Sequence, residues 1–509
     1  MTETTGLRMG TAAGRWVLFT TVLGSSLAMI DGTVVNVALE RIGTDLGAGF
    51  AGLQWTVNAY TLTLASLILL GGSLGDHLGR RRVFVIGVVW FALASLLCGL
   101  APNLGFLVAG RALQGVGGAL LTPGSLALIS ASFHGPDRSA AVGAWSGLGG
   151  IAGAIGPFLG GWLVDLNWRL IFLINLPLAA VIVTVALRHV PESRDAESAK
   201  GLDWTGTALA VVGLGGLTYG LTALGGGGAS WPAVVGLVVG VAALAGFVVV
   251  ERRSPHPLVP PALFRNRTFT AANAVTLLIY GALGTVFLLL VLELQVVAGF
   301  SPLAAGTSLL PVTLVMLTFS ARAGALAGRI GPRLPLTIGP LVSAAGLLLM
   351  LRVDADTSWL LDVLPAVLVF GAGLSLTVAP LTATVLDAAP DRYAGAASGV
   401  NNAVARAAGL LAVAVIPVLA GITGDDYTDP VQFDAGFRVA TMIGVGLLVA
   451  AAVLAFATVR GPMGAPTPAD PGGEPTPSAP GRLAIERCAH CGVNGPQVHP
   501  DDRSVSPSG

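Results

Sequence analysis

Charge is scarce in this chain. Asp, Glu, Lys and Arg together make up 11% of its 509 residues, with 27 basic and 27 acidic side chains and a formal net charge of zero. Soluble domains carry about 25%. So few charges cannot build a water-facing shell, and the surplus apolar surface has to face lipid. A neutral chain implies no nucleic acid or other polyanionic partner. Cysteine is nearly absent as well: three residues, an odd number, give no disulfide framework. No Gly-x-x-x-x-Gly-Lys-Ser/Thr phosphate loop occurs, which argues against direct use of ATP, and no His-Glu-x-x-His zinc-protease motif occurs. Nothing resembles a soluble catalytic domain, so an enzyme is not expected.

What the chain has in quantity is long apolar runs, with mean hydropathy +0.80 and 70 glycines. A membrane helix needs about 20 apolar residues. Such runs predict helices near 16–39, 53–73, 83–101, 104–129, 139–164, 169–187, 204–224, 231–250, 269–295, 302–326, 334–352, 358–386, 395–422 and 435–459. The run from Trp16 to Leu39 is too long, and too polar at Asp31, for a cleavable signal. With the N-terminus inside, the inner loops hold Arg80, Arg81, Arg82, Arg138, Arg188, Arg194, Lys200, Arg252, Arg253, Arg265, Arg267, Arg329, Arg333 and Arg392. The outer side holds only Arg41, Arg169, Arg352 and Arg438. This positive-inside bias predicts a multi-pass plasma-membrane protein with both termini cytoplasmic.

The segments read as an N-terminal stretch (1–15), a six-helix half (16–187), a linker with two extra helices (188–268), a second six-helix half (269–459) and a Pro/Gly/Ser-rich tail (460–509) expected to be disordered. Cys488-Ala-His490-Cys491, with His499 beyond, is too little to define a zinc site, and no metal or cofactor is expected. The halves show a repeat. Gly72-Ser-Leu74-Gly-Asp76-His77-Leu-Gly79-Arg80-Arg81 after the second helix aligns with Gly324-Ala-Leu326-Ala-Gly328-Arg329-Ile-Gly331-Pro332-Arg333 after the tenth.

Asp31 in the first helix is the central candidate. A charged, lipid-facing aspartate costs about 2.5 kcal/mol or more, so it should face the bundle interior. Arg111, in Arg111-Ala-Leu-Gln114-Gly115 of the fourth helix, needs an acid or carbonyls around it. At ~1.5 Å per residue the two fall in one layer. Asp31 then acts either as a proton carrier or as an acid held in a permanent pair. Gly72, Asp76, Gly79, Arg80 and Arg81 form a tight charged turn, either a latch between conformations or a plain positive-inside anchor. In the fifth helix Gly143, Gly147, Gly156, Pro157, Gly160 and Gly161 combine a small-residue face for close packing with a bendable point. Thr33, Asn36, Asn58, Gln114, Asn401 and Arg406 are candidates to line a cavity. Glu293, near the outer end of the ninth helix, is either an interfacial charge or a cation-binding acid.

On these motifs the chain resembles the major facilitator superfamily, and within it the fourteen-helix drug:proton antiporter group. The loop matches Gly-x-Leu-x-Asp-x-x-Gly-Arg-Arg, helix 4 matches Arg-x-x-Gln-Gly, and helix 5 matches the antiporter core Gly-Pro-x-x-Gly-Gly. Trp168-Arg169 with Phe172, Asn175 and Pro177 agrees. Glu293 departs from the group, which usually has an aromatic there. The resemblance implies an all-α fold of two six-helix halves plus two extra central helices. It also implies proton-coupled efflux of small amphipathic molecules by alternating access, from a monomer. Proton-coupled uptake on the same fold is the alternative.

Overall fold

The computed structural model describes residues 7–194, 203–225, 230–254, 257–390, 393–424 and 426–459. Among these residues the regular structure is all helical. The long helices are α1 (Ala12–Leu46), α2 (Phe50–Leu78), α3 (Arg80–Gly99), α4 (Leu104–Ser132), α5 (Gly135–Leu166), α6 (Leu170–His189), α7 (Trp204–Gly225), α8 (Trp231–Arg253), α9 (Arg267–Val296), α10 (Pro302–Ile330), α11 (Arg333–Met350), α12 (Trp359–Asp387), α13 (Ala394–Leu419) and α14 (Pro430–Thr458). Thirteen are long and apolar enough to cross a bilayer, and Ile151–Leu166 of α5 is a shorter apolar helix. The tail with Cys488, His490, Cys491 and His499, together with Lys200 and Arg392, lies outside the described residues.

Local chemistry sets the helix ends. α1 is longer than its apolar run because the Thr11 hydroxyl accepts the Gly14 N–H at 3.1 Å and Gly47 stops the helix in the left-handed region, φ 63°. α14 starts at Pro430 rather than near 435. Pro430 occupies a first-turn position that needs no N–H, and the Asp429 carboxylate accepts the Val431 N–H at 2.9 Å. A hydrogen bond from the Gln432 side chain, with those backbone bonds, holds Asp429 below the usual carboxylate pKa.

Apolar side chains such as Leu93, Val238, Phe319 and Phe456 point outward and are exposed, as lipid contact requires. α8 is the extreme case: its most apolar window has hydropathy 2.8, yet only 17% of that window is buried. It pairs with α7, and α7 in turn bears on both α2 and α13. The hairpin therefore sits beside the gap between the first six helices and the last six. The repeat holds at backbone level, since Gly79 (φ 111°) and Gly331 (φ 85°) both turn the chain through conformations open to glycine.

Candidate functional site

Five helices bring polar groups to one dry point. Asp31 on α1 and Arg111 on α4 are each 1% exposed and form an ion pair, Nη1 to Oδ2, at 2.5 Å. The Gln114 amide donates to Asp31 Oδ1 at 2.7 Å and to Ser95 Oγ of α3 at 2.8 Å. Asn175 of α6 donates to the same two acceptors at 3.3 and 3.2 Å. Arg111 also donates to the Thr56 carbonyl of α2 at 3.0 Å and to Gln114 Oε1 at 2.6 Å, and its guanidinium lies 4.4 Å from the centre of the Tyr60 ring. Each polar atom of Asp31 is therefore met, which is the condition for keeping a charge pair out of water. The arginine keeps a carbonyl, an amide oxygen and an aromatic face even without Asp31.

Beside this point lies a cavity of about 460 Å³ lined from both ends of the chain. α1 contributes Met29, Gly32, Thr33 and Asn36; α2 contributes Val57, Asn58 and Thr61; α5 contributes Gly153 and Pro157. Opposite them stand Tyr280 and Phe287 of α9, Thr313 of α10, and Arg406 and Val413 of α13. Thr33, Asn36, Asn58 and Arg406 thus line it. Gln114 does not: it is fully buried in the Asp31 network. Nor does Asn401, which faces α9 and donates to Asn273 Oδ1 and Thr276 Oγ1 at 3.2 and 2.8 Å.

One end of the cavity is fastened by side chains that reach backbone across the gap. Gln54 donates to the Val413 carbonyl at 2.6 Å, Gln295 to the Val37 carbonyl at 3.1 Å, and Tyr427 to the Ala48 carbonyl at 2.6 Å. The α5 glycines belong to this end. Side chains at Gly156 and Gly160 would strike Thr33 and Val34 of α1, and one at Gly161 would strike the backbone at Leu303 of α10. A side chain at Gly143, by contrast, would meet open space. The surroundings of Gly147 lie outside the described residues.

The charged turn finds its partners inside the first half. Arg80 pairs with Asp76 at 2.8 Å. Glu192, after α6, accepts the backbone N–H groups of Arg81 and Arg82 at 3.0 and 3.2 Å, and Arg81 Nη1 donates to the Val190 carbonyl at 2.9 Å. Glu192 was not predicted: its 111-residue separation from Arg81 leaves no local signal. Glu293 is fully buried rather than interfacial, and among the described residues its carboxyl oxygens meet no amide or cationic donor, only the neighbouring Asp434 carboxyl.

Known proteins agree with this architecture. The family description Major Facilitator Superfamily matches residues 21–413. The puromycin resistance protein of Streptomyces alboniger is 36% identical over 455 residues, covering 87% of this chain and 90% of its own. The probable actinorhodin transporter of Streptomyces coelicolor is 36% identical over 447 residues, covering 83% and 76%. Among solved structures, the POT family transporter PepTSo superposes with TM-score 0.64 at 14% identity, over 87% of this chain and 97% of that one, a likeness of fold alone. With its helical bundle, its repeated Gly-turn loops and these matches, the chain belongs to the major facilitator superfamily.

Proposed function

We propose that this protein is a proton-coupled exporter of small amphipathic molecules, a plasma-membrane antiporter that works by alternating access and carries out no catalytic step. The observation that carries the reading is the buried Asp31–Arg111 network lying against a cavity between two helical halves. The relatives named for antibiotic resistance and export support the outward direction.

With both termini cytoplasmic, the arginine-rich turns face inward and the fastened end of the cavity is the outer one. The conformation described is then closed on the outer side, and substrate is loaded from the cytoplasm or inner leaflet. α1 links the two events. Asp31 takes or loses the proton, and Gly32, Thr33 and Asn36 on the same helix touch the cavity. Protonation of Asp31 removes the counter-charge of Arg111, whose other three contacts hold it in place. The proton shifts the conformational balance by its different affinity for the two states, and substrate shifts it the other way. The glycine face of α5 slides on α1 and α10, while the Gly79 turn, tied to Glu192, keeps the first half moving as a unit. In this reading residues 16–187 and 269–459 are the halves, 188–268 joins them, and a monomer suffices.

Expression in an efflux-deficient bacterial host should raise resistance to amphipathic drugs, and a protonophore should abolish that resistance. Undiminished export in the presence of the protonophore, or by Asp31→Asn with its pH response intact, would overturn the assignment.

A further inference from the structure

The charge balance of the cavity wall selects the kind of molecule it holds. Every lining residue is apolar or uncharged except one, Arg406. Among the described residues no Asp or Glu lines the cavity, because Asp31 is enclosed in its own network and only 1% exposed. Among the described residues Arg406 has neither a hydrogen bond nor an ion pair. Two amides in the same wall also have polar atoms without a partner among the described residues. Asn58, 1% exposed, has no partner for its nitrogen or its oxygen, and Asn36 has none for its oxygen. The rest is hydrocarbon and aromatic surface, including Phe287, Leu283 and Val413.

A guanidinium in apolar surroundings stays charged, and it gains most from a carboxylate, phenolate or similar oxyanion, which it can grip with two parallel N–H groups. A cation there meets repulsion and finds no acid to offset it. We infer that the transported substrates are amphipathic anions: a flat or branched apolar body that fills the Phe287 side of the cavity, with one acidic group set against Arg406 and a donor or acceptor within reach of Asn58. The inference rests on the exporter reading above and narrows it to a substrate class.

Two dyes with a common xanthene ring system make the test: fluorescein, anionic at alkaline pH, and a cationic rhodamine ester. Binding is measured by fluorescence anisotropy on the full chain purified in detergent, and protonophore-sensitive export is measured in proteoliposomes. The wild-type protein should bind fluorescein at least about tenfold more tightly than the rhodamine. Arg406→Gln should abolish that preference, Arg406→Lys should retain part of it, and Arg406→Glu should reverse it. The reversal is a gain that a misfolded variant cannot produce. Equal or tighter binding of the rhodamine by the wild type, failure to bind fluorescein, or an unchanged preference in Arg406→Gln would each overturn the inference. Protonophore-sensitive export of the cationic dye alone would sink this inference and leave the exporter reading standing, whereas export insensitive to the protonophore would sink the exporter reading itself.

Discussion

Among the described residues three acids are buried, Asp31, Glu251 and Glu293, and the first and last of them are treated in opposite ways. Asp31, in the first half, receives donors from α4 and α6 and a full positive charge. Glu293, in the second half, is as deeply buried, and among the described residues no amide or cation donates to it; what lies against it is another carboxyl, Asp434. Its charged neighbours are Asp434 and Arg438 of α14, and Arg438 is already held by Asp434 at 2.9 Å. A network that meets every lone pair stabilises a charge. A carboxyl with no donors has to be neutral or carry a penalty. Burial alone therefore says little about what an intramembrane acid does; the donors around it decide.

The largest effect that can break this contrast lies in Arg111. Arg111→Ala leaves the Asp31 carboxylate buried without its cation, which should destabilise the protein by about 3–5 kcal/mol. Thermal unfolding in detergent measures this, and a loss no larger than that of a surface substitution would mean that the pair is not the centre of the network. Asp31→Asn keeps an oxygen for Arg111 and should leave a folded but less stable protein whose export no longer responds to a proton gradient; vesicle assays at fixed membrane potential read that response. Glu293→Leu should act in the other direction. Removing a buried, unmet polar group should add about 1–3 kcal/mol of stability, with pH-coupled export retained. If coupling were lost in a well-folded Glu293→Leu protein, the second acid would join the first as part of the proton path. The smallest effect belongs to Glu192, a partly exposed acid. Glu192→Ala should cost about 1 kcal/mol or less, and faster hydrogen exchange at the Arg81 and Arg82 amides would report the loosened turn.

Much of this is legible in the sequence. Hydropathy places the helices, with ends displaced by as much as seven residues at Leu46 and five at Leu78 and Pro430, and the rise per residue puts Asp31 and Arg111 in one layer, where they meet. What arithmetic along the axis cannot supply is rotation about it. Gln114 and Asn401 stand at plausible depths for the cavity, but each turns to another helix, Gln114 toward Asp31 and Asn401 toward Asn273. Ser95 and Asn175 complete the network from helices whose facing could not be deduced from a single chain. Helix ends were missed where polar caps extended an apolar run, as at Thr11 and Asp429. The charged turn was recognised by its spacing, but its tie to Glu192 depends on the chain returning from α6.

The fastened end of the cavity has a consequence for how the protein tolerates change. Gln54, Gln295 and Tyr427 all close it by donating to main-chain carbonyls, at Val413, Val37 and Ala48. A carbonyl is present whatever side chain hangs beside it. Drift at the three receiving positions therefore leaves the clasp able to form, and among the residues of the clasp selection falls on the three donors.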